Sequence, residues 1–196
     1  PTTIFDRGVR DSLLEPYRPD WADAVDSTTW GPGDFYFPVY RTPAVIAFNT
    51  RLVSEADAPR DWDEVLAPRW RDQVLIRDPV ASGTMRAIWG LIIGRGLRET
   101  GVTAAGMAWL RRLDGQTRTY TLNPAILDEK LARGEGSLTL WDLPDILMAR
   151  RRGLPFGYTF PTSGTVVIDD ARWWPGPGRR WTVRRPRSHP DSRWRP

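Results

Sequence analysis

Residues 76–85 read IRDPVASGTM, and they mark the passage from a buried strand to a helix. Residues 74–76 (VLI) are apolar and favour a short strand, which Pro79 ends because proline has no N–H to donate to a sheet. The tripeptide Ser82-Gly83-Thr84 follows, and after it the apolar residues recur at helical spacing. They are Met85, Ile88, Trp89, Ile92 and Ile93.

The start of this helix has the composition of an anion-binding site. The first N–H groups of a helix have no partner inside the helix, and the helix dipole adds partial positive charge there. Gly83 lets a ligand approach the backbone, and Ser82 and Thr84 add hydroxyl groups. A plain helix cap uses the same residue types. The spacing alone therefore leaves both interpretations open.

The composition favours binding over catalysis. The chain of 196 residues has no cysteine, which excludes thiolate nucleophiles, disulfides and cysteine metal sites. Its single histidine, His189, lies near the end, so a serine nucleophile in the body lacks its usual base. No run of about twenty apolar residues is present. We expect no cofactor, no bound metal and no catalytic residue.

The basic charge belongs to the end of the chain. Residues 172–196 contain eight arginines and one aspartate, which gives this segment a net charge of +7. Because the whole chain has a net charge of +4, residues 1–171 have a net charge of −3. An acidic body is a poor candidate for binding nucleic acid. The Arg, Trp and Pro composition of residues 172–196 favours an out-of-frame translation. A natural disordered tail and a basic arm for nucleic acid are the alternatives.

Strands that alternate with helices predict an α/β fold with a largely parallel sheet. In such sheets ligands bind beyond the carboxyl ends of the strands. A second strand, residues 137–141 (SLTLW), ends at Trp141 and Asp142, so this pair is predicted on the same edge as Ser82-Gly83-Thr84. Trp141 is also compatible with a core position, and Asp142 with a cap on the next helix.

Several motifs carry a family resemblance. In order along the chain they are residues 43–50 (PAVIAFNT), 61–66 (DWDEVL) with 68–70 (PRW), 76–84 (IRDPVASGT), 131–141 (LARGEGSLTLW) and 160–170 (FPTSGTVVIDD). They resemble the periplasmic solute-binding proteins of ABC importers, in the branch of the ferric-ion and phosphosugar binders, over roughly residues 10–171. The resemblance implies a periplasmic-binding-protein type II-like fold, in which crossing strands join two α/β lobes around a ligand.

The resemblance also implies a domain division. Residues 1–45 are the end of the first lobe and its crossover, 46–160 the second lobe, 161–171 the return crossover, and 172–196 the basic tail, disordered or out of frame. The first lobe is then only partly present. We expect a chain that is incomplete at both ends and whose signal peptide is missing.

The resemblance assigns ligand contacts to Ser82, Gly83, Thr84, Trp141, Asp142, Trp30 and Tyr36. For Trp30 and Tyr36 a structural role is the favoured alternative, because aromatic residues beside a Gly-Pro-Gly turn often only cover a lobe. Ferric binders of this branch carry adjacent tyrosines where this chain has Trp141-Asp142, so iron coordination by tyrosinate is not expected. The expected function is capture of a small anionic solute, phosphorylated or carboxylated, and its delivery to an ABC permease. The alternatives are ferric-iron transport and an enzyme on the same scaffold.

This function implies a location and a set of partners. The protein is expected in the periplasm, or lipid-anchored outside a Gram-positive cell. We expect a monomer that binds a small anionic ligand and no nucleic acid, and that meets the membrane only through the permease.

Overall fold

A computed structural model describes residues 2–175. The predictions for residues 176–196, which form most of the basic tail, lie outside the described residues. Within residues 2–175, no helix is long and apolar enough to cross a membrane.

The described chain alternates helices and strands. The helices are α1 Thr2–Arg10, α2 Gly83–Thr100, α3 Ala104–Gln116, α4 Pro124–Arg133 and α5 Leu143–Arg151. The strands are β1 Leu14–Glu15, β2 Tyr36–Asn49, β3 Val74–Arg77, β4 Thr117–Thr121, β5 Leu138–Asp142, β6 Phe156–Thr159 and β7 Val167–Pro175. Several 3-10 turns lie in the connections, among them Trp62–Leu66 and Pro68–Trp70.

The seven strands are connected in the order β1-β7-β2-β5-β3-β4, with β6 also paired to β2. The prediction of a largely parallel sheet is wrong. Only β3 pairs in parallel, with β4 and β5, whereas β2 runs antiparallel to β5, β6 and β7. The reason is that β2 carries the chain into the second lobe and β7 carries it back, so the two strands run in opposite directions.

The crossing strands β2 and β7 join the two lobes, as the resemblance implied. The first half of β2 pairs with β7, from Tyr36 opposite Trp173 to Pro43 opposite Val167. From Ala44 onward β2 pairs instead with β5 and β6 inside the second lobe. The lobes are therefore connected by one continuous pair of strands, and the connection places the first lobe beside the carboxyl ends of β3 and β5.

Strand β7 continues past the predicted boundary at residue 171. Arg172 lies opposite Phe37, and the ring of Trp174 packs 4.2 Å from the ring of Tyr17. Composition changes abruptly at Arg172, but pairing with β2 does not. A strand that has a partner along its whole length tolerates arginine and tryptophan, since their side chains point away from the ladder.

The second lobe contains the hydrophobic core, and its helices begin and end where local rules predict. Asn123 accepts a hydrogen bond from the N–H of Ala125 and caps α4, with Pro124 at the first helical position. Gly134 ends the same helix with φ of 76°, a conformation that favours glycine. The core includes Phe48 and Trp62, together with Ile76, Met85 and Leu131. This packing fixes the edge of the sheet on which α2 and α5 begin.

Candidate functional site

A cavity of about 270 Å³ opens where helices α2 and α5 begin and the crossing strands pass. It lies at the carboxyl ends of β3 and β5, the position in which open α/β sheets bind ligands. Its walls combine residues from both helix starts with residues of β2 and β7. They are Tyr40, Thr42, Gly83, Thr84, Asp142, Pro144, Asp145, Ile168 and Asp170.

The first turn of α2 forms one wall of this cavity. Ser82 is the N-cap residue, and its Oγ accepts a hydrogen bond from the N–H of Met85 at 3.2 Å. Gly83 and Thr84 occupy the first two helical positions, so their N–H groups have no acceptor within the helix. Thr84 Oγ1 donates to Asp142 Oδ2 at 3.3 Å. The structure thus brings together three of the predicted site residues, Gly83, Thr84 and Asp142, with Ser82 beside them as a cap.

Asp142 connects the starts of two helices. Besides the bond from Thr84, its Oδ1 accepts the N–H of Asp145 at 3.2 Å, so it caps α5, as one of the two sequence interpretations held. The residue is only 8% exposed. Burial, followed by the charge of Asp145, raises the pKa of Asp142 to about 6, although the bonds from Asp145 N–H and Thr84 act in the opposite direction.

The sequence did not reveal the walls that the crossing strands supply. Tyr40 and Thr42 stand on β2, and Asp170 stands opposite Tyr40 on β7, far away in the chain. Thr42 Oγ1 donates to Asp170 Oδ2 at 2.7 Å. Tyr40 is 59% exposed, and the charge of Asp170, followed by burial, raises its pKa. Alternate residues of a strand face one side, so the spacing of Tyr40 and Thr42 is the signal that was available.

Three other predicted residues do not line the cavity. Trp141 is 4% exposed and belongs to the core, where its Nε1 donates to Asp145 Oδ2 at 3.0 Å. Tyr36 is buried in the first lobe and donates through its hydroxyl to Asp6 Oδ1 at 2.7 Å. Trp30 donates through Nε1 to the carbonyl of Val25 at 3.2 Å, and its ring carries the guanidinium of Arg18. Trp30 and Tyr36 thus pack within the first lobe.

The cavity is acidic on one side. Asp142, Asp145 and Asp170 all line it, and none of the described lining residues is a lysine or an arginine. Within residues 2–175, no group of three or more His, Cys, Asp or Glu side chains is placed to hold a metal ion. The walls therefore offer hydrogen-bond acceptors from the carboxylates and hydrogen-bond donors from the first turn of α2.

A second, larger cavity of about 490 Å³ lies along β6. Arg60, Arg150, Tyr158 and Phe160 are among its lining residues. It contains no helix start and none of the predicted site residues, so we place the candidate site at the smaller cavity.

Comparison with known proteins identifies the family of the chain. Residues 3–172 match the family of bacterial extracellular solute-binding proteins. The chain belongs to this family. The description of this family names extracellular solute-binding proteins of bacteria.

Two solved structures share the fold. The periplasmic binding protein AfuA from Actinobacillus pleuropneumoniae, with exogenous fructose-6-phosphate bound, is 20% identical, with a TM-score of 0.72 over 87% of this chain and 54% of that one. Iron-bound HitA from Pseudomonas aeruginosa is 14% identical, with a TM-score of 0.71 over 89% of this chain and 56% of that one. Both confirm the fold of a periplasmic binding protein, with the first lobe only partly present.

Two relatives match by sequence. An uncharacterized protein of Haemophilus influenzae is 24% identical over 161 residues, which are 78% of this chain and 45% of that protein. The chain thus spans about half the length of this relative. A shorter match, 34% identical over 85 residues, is to an octanoyltransferase of Mycolicibacterium gilvum and covers 41% of this chain and 34% of that enzyme.

Proposed function

We propose that this chain is part of the solute-binding component of an ABC importer and that its cleft captures a small organic solute carrying an anionic group and hydroxyl groups. The ligand is a phosphorylated or carboxylated molecule, which the protein delivers to a membrane permease. One observation carries the proposal: the same cavity contains the first turn of α2, with the N–H groups of Gly83 and Thr84, and three carboxylates.

The first turn of α2 supports the anionic part of the ligand. The N–H groups of Gly83 and Thr84 are donors without an acceptor in the helix, and the helix dipole favours negative charge at this end. Gly83 presents no side chain to keep an oxygen of the ligand away from the backbone. Two adjacent N–H groups match the acceptor oxygens of one phosphate or carboxylate. On binding, the hydroxyl of Thr84 turns from Asp142 to the anion and adds a third donor.

The carboxylates support the hydroxyl groups of the ligand. Carboxylate oxygens accept hydrogen bonds, and Trp141 and Thr42 donate to only one oxygen each of Asp145 and Asp170, so the other oxygens match donors of the solute. Hydroxyl groups supply such donors without adding charge. A phosphorylated sugar combines both features, and the structural neighbour AfuA was solved with fructose-6-phosphate bound.

The two alternatives have less support. Ferric iron requires several anionic oxygens around one point, and residues 2–175 contain no group of three acidic or histidine side chains placed for a metal. The fold neighbour HitA is iron-bound, and this is the observation that favours the iron alternative. An enzyme is disfavoured because the only histidine lies at residue 189 and cysteine is absent.

The test is calorimetric titration of the chain with fructose 6-phosphate, fructose and inorganic phosphate. We expect fructose 6-phosphate to bind more tightly than either of its parts. Replacing Thr84 by valine removes only the hydroxyl and should weaken fructose 6-phosphate about tenfold, the value of one hydrogen bond to a charged group. Ser82 is unsuitable because its Oγ caps the helix.

The matched control is Thr165→Val, in a second Ser-Gly-Thr segment. Thr165 Oγ1 donates to the carbonyl of Ala44 and lines no part of the cavity. This variant should bind fructose 6-phosphate like the wild type. If the wild type binds fructose and fructose 6-phosphate equally well, the cavity has no anion site. If Thr84→Val and Thr165→Val lose the same affinity for fructose 6-phosphate, Thr84 is not part of the anion site.

A further inference from the structure

Arg77 is a buried arginine, and two nitrogens of its guanidinium have no acceptor. It is the last residue of β3 and is 6% exposed, and both Nε and Nη1 are buried without a hydrogen-bond partner. Among the described residues no carboxylate lies within ion-pair distance of it. Buried charges in proteins are normally paired, since an unpaired one costs several kcal/mol.

Arg77 lies directly behind the acidic side of the cavity. Its guanidinium is centred 5.4 Å from the ring of Trp141, and the indole N–H of that ring donates to Asp145, which lines the cavity. Trp141 also precedes Asp142, which bonds Thr84 at the start of α2. One aromatic ring thus separates the guanidinium from the cavity wall.

A second unpaired group accompanies Arg77. Thr121 lies opposite it on β4, and Thr121 Oγ1 is also buried without a partner. Both residues stand at the carboxyl ends of adjacent parallel strands, on the edge of the sheet that carries the candidate site. The loop that follows Arg77 leads within a few residues to the cap of α2. Arg77 and Thr121 thus contribute three of the six buried unpaired side-chain atoms of the described residues, all three at the ligand-binding edge.

We infer that Arg77 is a specificity-determining residue, the buried positive charge that balances the anionic group of the ligand. The inference rests on the proposed function. The three carboxylates of the cavity repel an anion, and the helix start alone supplies only partial charge. A full positive charge behind Trp141, held where water does not screen it, offsets that repulsion. Neutral sugars gain nothing from it, so Arg77 selects the phosphorylated form.

If Arg77 serves the ligand, removing its charge should stabilise the protein without ligand. A guanidinium that only an aromatic ring compensates, with no carboxylate beside it, destabilises the folded chain without ligand, and an apolar residue of similar length removes that cost. Methionine has such a shape and packs against aromatic rings. Replacing Arg77 by methionine should therefore raise Tm while lowering the preference for the phosphorylated ligand. A purely structural arginine predicts the opposite change in Tm.

The experiment compares Arg77→Met and Arg77→Lys with a control, Arg69→Met. Arg69 also lies over an indole ring, 4.7 Å from the centre of Trp70, but it is exposed and does not line the cavity. Each variant is measured for Tm without ligand and for its affinities for fructose 6-phosphate and fructose. We expect Arg77→Met to raise Tm by about 3 °C and to reduce the ratio of the two affinities at least about tenfold. Arg77→Lys should retain part of the ratio, and Arg69→Met all of it.

The outcomes separate the inference from the proposed function. If the wild type prefers fructose 6-phosphate and Arg77→Met keeps that preference, the inference is overturned and the proposed function stands. If the wild type binds neither compound, the proposed function fails for phosphosugars. A fall in Tm of Arg77→Met would then overturn the inference as well, whereas a rise would retain Arg77 as an uncompensated charge for another anion.

Discussion

The chain contains the tripeptide Ser-Gly-Thr twice, and the two copies have different environments. Ser82-Gly83-Thr84 begins helix α2 and borders the cavity. In residues 163–165 every member has a partner within the protein. Ser163 bonds Asp61, Gly164 accepts the indole N–H of Trp62 at 2.9 Å, and Thr165 bonds the carbonyl of Ala44. The same three residues therefore make a candidate ligand wall only where a helix start leaves N–H groups without acceptors.

Each copy contacts one aspartate, Asp61 or Asp142, and the pKa values of these two aspartates shift in opposite directions. Burial acts against ionisation of Asp61, but hydrogen bonds from Ser163, Thr162 and Trp62 outweigh it and lower its pKa. Burial raises the pKa of Asp142 to about 6, because Thr84 and one backbone N–H compensate it only partly. A satisfied carboxylate is a structural anchor, whereas an incompletely satisfied one in a cavity is typical of a functional site.

The largest expected effect on stability concerns the second copy, residues 163–165, whose polar groups all have partners within the protein. Asp61 accepts bonds from Thr162 Oγ1 at 2.8 Å and from the N–H of Ser163 at 3.0 Å, and it also accepts the N–H of Trp62. We expect Asp61→Ala to lower the free energy of unfolding by about 2–3 kcal/mol, measured by urea denaturation at pH 7. Binding of fructose 6-phosphate should not change. A loss of binding with unchanged stability would invert the comparison of the two copies.

The pH dependence of this loss has a definite sign. The folded pKa of Asp61 lies below its unfolded value of about 3.9, so its contribution is present above that value and disappears as the pH falls through the folded pKa. The difference between wild type and Asp61→Ala should therefore narrow below about pH 4.

The contribution of Asp142 to stability should depend on pH in the opposite direction to that of Asp61. With a folded pKa of about 6, Asp142 holds its proton more tightly in the folded chain than in the unfolded chain. The contribution of Asp142 to wild-type stability should therefore fall as the pH rises from about 4 to above 6. An asparagine at this position would still cap α5 and carries no charge. We expect Asp142→Asn to be more stable than the wild type by about 1–2 kcal/mol at pH 7.5, after allowing for its retained bonds.

The control for this measurement is Asp61→Asn, studied over the same pH range. It should be less stable than the wild type at pH 7.5, whereas Asp142→Asn should be more stable, and both differences should vanish in acid. If Asp142→Asn loses stability at neutral pH, Asp142 is an anchor like Asp61, and the distinction between the copies is wrong.

The sequence predicted what neighbouring residues determine. The cap at Asn123, the stop at Gly134 and the start of α2 at Ser82 depend on a few adjacent side chains, and all three are confirmed. Strand β4 was missed because its residues, TRTYT, alternate at a half-exposed edge after a helix and contain no apolar run. Helix α1 was also missed, although Ile4, Phe5 and Val9 recur at helical spacing.

Contacts between distant parts of the chain were not predictable in this way. Asp170 reaches the cavity only because β7 pairs with β2, and no local pattern states that pairing. For the same reason the prediction that most strands pair in parallel was wrong. Trp141 shows the limit most clearly: an aromatic residue at a strand end fits a ligand wall and a core equally well, and only the bond to Asp145 and its 4% exposure locate it behind the wall.

The smallest effects compare the two glycines. Gly164 has φ of 97°, which L-residues rarely adopt, and nothing lies within 4 Å of an added Cβ, so Gly164→Ala adds backbone strain alone. We expect a loss of about 1 kcal/mol in urea denaturation and no change in ligand affinity.

Gly83 lies in the first turn of α2 and is not among the glycines with positive φ, so Gly83→Ala should change stability by less than about 0.5 kcal/mol. Its methyl group would nevertheless stand at the cavity wall and keep an anion from the backbone N–H groups. Affinity for fructose 6-phosphate should therefore fall in Gly83→Ala alone, and an unchanged affinity there would mean that the ligand does not contact this turn.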